Sequence, residues 1–278
     1  MDARVYLVER SALVDRELDA LLPAAGLAPV ALHGAMRHLV FPGGKRLRPG
    51  LALAAAEAVG GAPDIALPIA TAVELVHTWS LIHDDLPCMD DDVERRGRPT
   101  VHVAYDEATA LLAGDALLAL AFEVALERGT AAAELRIAAA LELARASGAA
   151  GLVGGQVDDL ACARNGGDAA FVESIHARKT AALISAAIVG GATLAGAEGA
   201  DRERLRRFGF GVGVAFQIAD DLLDAGEDAC SLVEAVGAEA ARARGEVLLE
   251  SALDEIAAFG AGAEPLRALA LFALRRKE

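Results

Sequence analysis

The chain has 278 residues, a formal net charge of −15 and 54% hydrophobic residues, of which few are aromatic. That length could hold one or two domains with a sizeable buried core, and so acidic a balance argues against a nucleic-acid or anionic-membrane partner, although local Lys and Arg can still hold phosphates. Much of the apolar content is alanine, and neither β-alternation, closely spaced hairpin signals nor a repeat is evident, so we expect an all-α fold with a single domain over residues 1–278.

In chain order, residues 1–15 (MDARVYLVERSALVD) are charged throughout and lack the apolar core of a signal peptide, so a cytoplasmic location is expected. Apolar periodicity and breakers predict antiparallel helices near 3–22, 30–40, 48–60, 65–84, 106–128, 131–147, 150–163, 169–190, 199–224, 232–259 and 264–276. Asp64, Asp106, Thr130 and Asp168 are the expected N-caps, and Gly60, Gly61, Gly129, Gly166 and Gly167 the expected stops. The uncharged run Thr180 to Ala197 is long enough to cross a membrane. Its Ala, Gly, Ser and Thr content, with Gly190 and Gly191 in the middle, suits close helix packing better, and no membrane span is expected. Cys88, Cys162 and Cys230 are odd in number and scattered without metal-ligand spacing, which fits a reducing compartment.

Three stretches carry chemistry. PGGKRLRP at 42–49 sets Lys45, Arg46 and Arg48 behind a glycine pair, a basic turn able to approach an anion. No Ser or Thr follows the GK and no apolar strand precedes it, so it is not a P-loop.

The second stretch, His77 to His102, reads HTWSLIHDDLPCMDDDVERRGRPTVH and crowds Asp84, Asp85, Asp90, Asp91 and Asp92 ahead of Arg95, Arg96 and Arg98. Two like charges 4 Å apart interact by roughly 4 kcal/mol at an effective dielectric near 20, so converging carboxylates need cations. Pro87 should loosen the arriving helix near Asp84 and Asp85, and Asp90 must then fold back. Oxygen ligands with incomplete protein coordination suit magnesium; a solvated acidic loop is the alternative on this stretch alone. His77 lies about two helical turns before Asp84 and points the same way.

The third, FQIADDLLD at 216–224, places Asp220 and Asp224 at i and i+4 on one helix face amid apolar Ile218, Leu222 and Leu223. Buried carboxylates facing one another without cations are costly, which again points to metal.

The paired motifs DDLPCMD at 84–90 and DDLLD at 220–224 resemble those of the trans-prenyl diphosphate synthases, enzymes of isoprenoid chain elongation. GGKRLRP from Gly43, RRG from Arg95, GGQVDDL from Gly154 and HARKT from His176 follow the same order, so the match spans nearly the whole chain. The resemblance implies a bundle of long antiparallel helices around one central cavity, and a homodimer. It also implies magnesium-dependent head-to-tail prenyl transfer between isopentenyl diphosphate and an allylic diphosphate, with three Mg2+ per active site once diphosphate is bound.

By the same resemblance, Asp84, Asp85, Asp90, Asp220, Asp221 and Asp224 form the metal set. Lys45, Arg48, His77 and Arg96 hold the isopentenyl diphosphate, and Arg95, Lys179, Thr180 and Gln217 serve the allylic one. Gln217, Thr180 and the Lys179 carbonyl present negative dipole ends to an allylic cation, and no side-chain nucleophile is implied. Arg46 is left out, and Arg98 is expected to serve the loop.

Trp79 sits five residues before Asp84 and resembles the family's chain-length floor, with small Ser80 leaving the upper cavity open. Farnesyl diphosphate is the expected product; geranyl and geranylgeranyl diphosphate are alternatives. After DDLLD the family has a Gly-Lys loop, but this chain reads AGEDACSLVEAVG at 225–237 and holds no lysine between Lys179 and Lys277. Arg276 resembles a terminal arginine closing over the isopentenyl site. A terpene cyclase would have Asn, Ser and Glu in its second metal motif and no use for Lys45 and Arg48. A non-catalytic partner subunit would be expected to have lost aspartates that are intact here.

Overall fold

A computed structural model describes residues 1–224 and 230–274. Its helices are α1 (Ala3–Leu21), α2 (Val30–Val40), α3 (Leu47–Ala58) and α4 (Leu67–Asp84). A two-residue antiparallel hairpin follows, β1 (Glu94–Arg95) with β2 (Arg98–Pro99). Then come α5 (Val101–Ala104), α6 (Glu107–Glu127), α7 (Ala133–Ser147), α8 (Leu152–Asn165) and α9 (Ala169–Ile175). A π-helical turn over His176–Ala181 leads into α10 (Ala182–Leu194), and α11 (Gly199–Leu223), α12 (Leu232–Val236), α13 (Ala238–Glu255) and α14 (Glu264–Leu274) complete the chain. The expected all-α bundle is what forms.

The core is organised around α10, all 13 residues of which are buried. It packs on α3, α4, α7 and α11, and small side chains set how closely. A Cβ on Gly191 would stand 2.1 Å from the Ala52 carbonyl oxygen of α3, so only glycine permits that approach. The run that raised the membrane alarm is therefore the most enclosed helix of the bundle. By length and composition, four other segments could cross a membrane: Pro63–Asp84, Glu107–Glu127, Ala133–Asn165 and Ala257–Leu274. The first is directed inward, whereas α6 leaves Leu111 and Leu112 facing outward.

Helix ends show which local signals won. Asp106 and Asp168 accept hydrogen bonds from the Thr109 and Phe171 amides, as expected of N-caps. Asp64 instead lies inside the 3-10 turn Pro63–Ala66, and α7 starts after Ala132 rather than at Thr130. Asp2 and Ser231 are caps that the sequence reading did not name. The helix expected over 232–259 is interrupted at Gly237, whose φ of 84° is closed to most side chains.

The cysteine reading needs correction. Cys162 on α8 and Cys230 ahead of α12 form a disulfide across 68 residues, with Cα atoms 5.6 Å apart, and Cys88 is exposed and free. The scattered spacing gave no sign of that pairing.

Candidate active site

Helix α4 ends where Pro87 demands. After Asp84 the chain turns, the Met89 amide donates to the Leu86 carbonyl, and the Asp90 amide donates to the Asp84 carbonyl at 2.9 Å. The fold-back thus brings Asp90 to Asp84, which an uninterrupted helix would have kept on different faces.

Burial pushes the Asp84 carboxyl up to about 7; Lys179 opposes the rise and Asp90 adds to it. Burial raises Asp90 as well, again opposed by Lys179. These are carboxylates held near each other in a partly dry site, with one ammonium between them.

Asp85 does something else. It is fully buried and accepts from Arg95 Nε, while Arg95 Nη2 reaches Asp92 at 2.8 Å. That carboxylate anchors the β1–β2 hairpin instead of joining Asp84 and Asp90. Arg98, on the same hairpin, donates to the His38 and Phe41 carbonyls at the end of α2, so it serves the loop as expected.

The second aspartate motif closes α11. Asp220 is half-buried and lines the cavity. Asp221 is turned away from it: its Oδ2 accepts from the Leu232 amide at 2.7 Å and stands 3.4 Å from His176 Nε2. Asp224 is exposed, and its amide donates to the Asp220 carbonyl. The six-residue metal set of the sequence reading therefore divides. Asp84, Asp90 and Asp220 remain as candidate ligands, Asp85 and Asp221 have structural partners, and Asp224 is exposed at the end of the helix.

Among the described residues no three His, Cys, Asp or Glu side chains converge closely enough to cage an ion alone. Raised carboxyl pKa values with an incomplete donor set fit magnesium, which keeps waters and shares phosphate oxygens.

The π-turn over His176–Ala181 was not legible in the sequence, where 169–190 read as an uninterrupted helix. It widens the backbone at the HARKT motif, and two neighbours make room for it. A Cβ on Gly155 of α8 would lie 2.4 Å from the Lys179 nitrogen, and one on Gly213 of α11 would lie 2.4 Å from Ala181 Cα. Such turns recur at functional sites.

Here it presents Lys179 and Thr180 together. Thr180 Oγ1 donates to Gln217 Oε1 at 2.9 Å, so the expected pair of dipoles is assembled. Lys179 Nζ contacts Asp159 Oδ2 at 2.6 Å. Burial works against the charged ammonium, but Asp159, Asp84 and Asp90 outweigh it and hold the Lys179 pKa above its usual range. Asp159 was not named individually in the sequence analysis; the GGQVDDL motif that contains it was the signal.

Gly155→Ala is expected to displace Lys179 and Thr180 by a fraction of an ångström to an ångström and to lower kcat by about 10²-fold, because misplacement of that order costs about this much. Steady-state kinetics beside a circular dichroism melt would check it, and kcat within twofold of the parent would remove the π-turn from the machinery.

At the other end, Lys45 is exposed and Arg48 half-buried. Arg48 Nη1 lies 3.3 Å from His77 Nε2. Arginine can only donate, so Nε2 accepts and the imidazole is neutral. Burial and the nearby Arg48 and Arg96 hold its pKa well below the ordinary histidine value.

One cavity of about 910 Å³ is lined by Lys45, Arg46, Arg48, Glu74, His77, Arg95 and Arg96 together with Thr180, Gln217 and Asp220. Trp79 is buried in the apolar core, its ring edge-on to His83 with centroids 5.7 Å apart. Ser80 is buried too and donates to the His77 carbonyl. Arg276 and most of the stretch where a Gly-Lys loop was looked for, residues 225–229, lie outside the described residues.

This all-α cavity, with cationic and carboxylate walls, has the architecture of a diphosphate-handling enzyme. A profile of the family described as polyprenyl synthetase matches residues 29–254, and the chain belongs to that family of isoprenoid prenyltransferases.

A geranylgeranyl diphosphate synthase of Cyanophora paradoxa is 40% identical over 98% of this chain and 95% of its own length. A chloroplastic geranylgeranyl pyrophosphate synthase of Capsicum annuum is 46% identical over 80% of this chain, which spans 60% of that protein. Among solved structures, an FPP/GFPP synthase from Zymomonas mobilis superposes with a TM-score of 0.92 at 38% identity, covering 98% of both chains. A putative farnesyl-diphosphate synthase from Marinomonas sp. MED121 gives 0.89 at 37%, covering 99% of both.

Proposed function

We propose that this protein joins isopentenyl diphosphate head-to-tail to dimethylallyl or geranyl diphosphate and releases farnesyl diphosphate. The observation that carries the reading is that one cavity is lined both by Lys45, Arg48, His77 and Arg96 and by Thr180, Gln217 and Asp220. Two anionic substrates need two cationic seats, and the reacting carbons need a place between them.

Asp84, Asp90 and Asp220 are the residues that would hold magnesium. When bound, magnesium supplies Lewis-acid stabilisation of the departing diphosphate. The chain's own groups do the rest. Lys179 and Arg95 hold the allylic diphosphate, while Lys45, Arg48 and Arg96 hold the isopentenyl one. His77, neutral and bonded to Arg48, orients that guanidinium without adding charge. Thr180 and Gln217 turn oxygen lone pairs toward the electron-poor allylic carbon, and the surrounding apolar helices limit water. Loss of diphosphate from the allylic carbon, attack by the isopentenyl double bond and loss of a proton to the departing diphosphate complete the transfer.

Incubating the purified protein with magnesium, isopentenyl diphosphate and each allylic diphosphate, followed by product chromatography, tests the proposal; absence of any prenyl product would overturn it. A C20 product is the second reading, favoured by the names of the Capsicum and Cyanophora relatives, whereas the Marinomonas structure is named a putative farnesyl-diphosphate synthase and the Zymomonas one an FPP/GFPP synthase. Lys45→Ala should raise the isopentenyl KM by about tenfold, the order expected for one lost charge-assisted hydrogen bond, and leave the allylic KM within twofold. Equal changes in both would end the division into two seats. A homodimer is part of the same proposal: a second copy covering the outward Leu111 and Leu112 of α6 would remove their apolar surface from water.

A further inference from the structure

We infer that Arg46, which lines the cavity but has its guanidinium taken up by three protein acceptors, is the positioning residue that aims Lys45 and Arg48 into the cavity. The inference rests on the isopentenyl reading of that wall. Its starting observation is that three cationic side chains within four residues have different fates: Lys45 is exposed, Arg48 is half-buried and Arg46 is 3% exposed.

The Arg46 guanidinium is held from three directions. Nε donates to Asp15 Oδ1 of α1 at 2.8 Å, Nη1 to Glu74 Oε1 of α4 at 2.6 Å, and Nη2 to the Val40 carbonyl that ends α2 at 2.7 Å. A planar fork of donors can satisfy three such acceptors at fixed angles; an ammonium on a flexible stem cannot.

The backbone shows what this grip accomplishes. Arg46 is the N-cap of α3 with φ 50° and ψ 37°, a left-handed conformation that a non-glycine residue adopts at a cost. With Arg46 drawn inward, the chain reverses at that residue, and Lys45 before it and Arg48 after it both reach the cavity wall.

The glycine pair ahead of it has a matching explanation. A Cβ on Gly43 would overlap the Arg46 guanidinium carbon at 2.0 Å, and one on Gly44 would crowd Arg96 Nη2 at 3.0 Å. The pair therefore lets the loop lie flat over two guanidinium groups, whereas the sequence reading assigned it to the approach of an anion. Glu74, buried and ion-paired with Arg46, also lines the cavity, so the pair belongs to the wall that carries Lys45 and Arg48.

Arg46→Lys and Asp15→Ala test the assignment, each assayed for the KM of both substrates, kcat and melting temperature. Asp15 is half-exposed and lies outside the substrate walls, so Asp15→Ala keeps the question open to measurement even if a lysine at 46 prevents folding. The expected result is an isopentenyl KM raised about tenfold in Arg46→Lys and severalfold in Asp15→Ala, with the allylic KM within twofold. A merely structural role would lower the melting temperature and move both KM values together, or neither, and either pattern would overturn the inference. Lys45→Ala is run beside them: if it too leaves the isopentenyl KM unchanged, the reading of the wall has failed rather than the role of Arg46. Calorimetric titration with isopentenyl diphosphate supplies the same comparison without turnover.

Discussion

Asp84→Asn is expected to lower turnover by about 10³-fold or more and, at the same time, to make the metal-free protein more heat-resistant than the parent above pH 7. The two effects have one cause. The Asp84 carboxyl, pushed up to about 7 from 3.8, is held in a partly buried site beside Asp90. Between about pH 4 and 7 the folded state therefore binds a proton that the unfolded chain has released. The stability tied to that proton is fully present below about pH 4 and is lost as pH rises through 7.

Asparagine keeps the shape without the charge, so the gap in melting temperature between variant and parent should open as pH rises from 5 to 8 in a chelator. Other titrating groups, His77 among them, are common to both proteins and largely cancel in the difference. A gap that stays constant with pH would mean that Asp84 is not a strained carboxylate, and near-normal turnover would remove it as an essential ligand. Such a trade of stability for activity is what a site built to receive a cation requires.

Trp79→Ala should lengthen the principal product by at least one isoprene unit. Trp79 lies roughly 7.5 Å from Asp84 along α4 at 1.5 Å per residue, and the family resemblance puts the floor of the tail pocket at this position. Its ring packs edge-on against His83, which in turn reaches the Leu111 carbonyl of α6 at 3.1 Å, so Trp79 and His83 bridge α4 and α6. If that bridge is the floor the resemblance implies, replacing the indole by a methyl group removes it.

Removing so large a core side chain costs about 3–5 kcal/mol, so Trp79→Met, which keeps more of the volume, is the companion variant. Chromatography of the products of both against the parent checks the idea. An unchanged product distribution in a folded Trp79→Ala would make the tryptophan a packing residue alone.

Much of this was legible in one dimension because it depends on neighbours along the chain. Helix periodicity, the Asp106 and Asp168 caps and the effect of Pro87 on Asp84 to Asp90 are local physics, and they read correctly from the sequence. The resemblance named Thr180 and Gln217 together, and they are hydrogen-bonded on the cavity wall.

What was misread depends on contacts between distant segments. Cys162 and Cys230, 68 residues apart, carry no local sign of pairing. Asp85 and Asp221 look like their neighbours Asp84 and Asp220 in sequence, yet the hairpin arginine takes one and the Leu232 amide takes the other. The π-turn at His176–Ala181 is invisible to helical periodicity, since the glycines that admit it, Gly155 and Gly213, belong to other helices.

The sequence by itself determined that the chain is helical, where most of its helices lie and which charged residue types gather near one another, because periodicity, capping and proline geometry act over a few residues. Only the tertiary structure decided which of those like-charged neighbours face the cavity and which hold the bundle together. Adjacent residues on a helix point about 100° apart, and a buried charge takes its role from whatever partner the packing brings to its side.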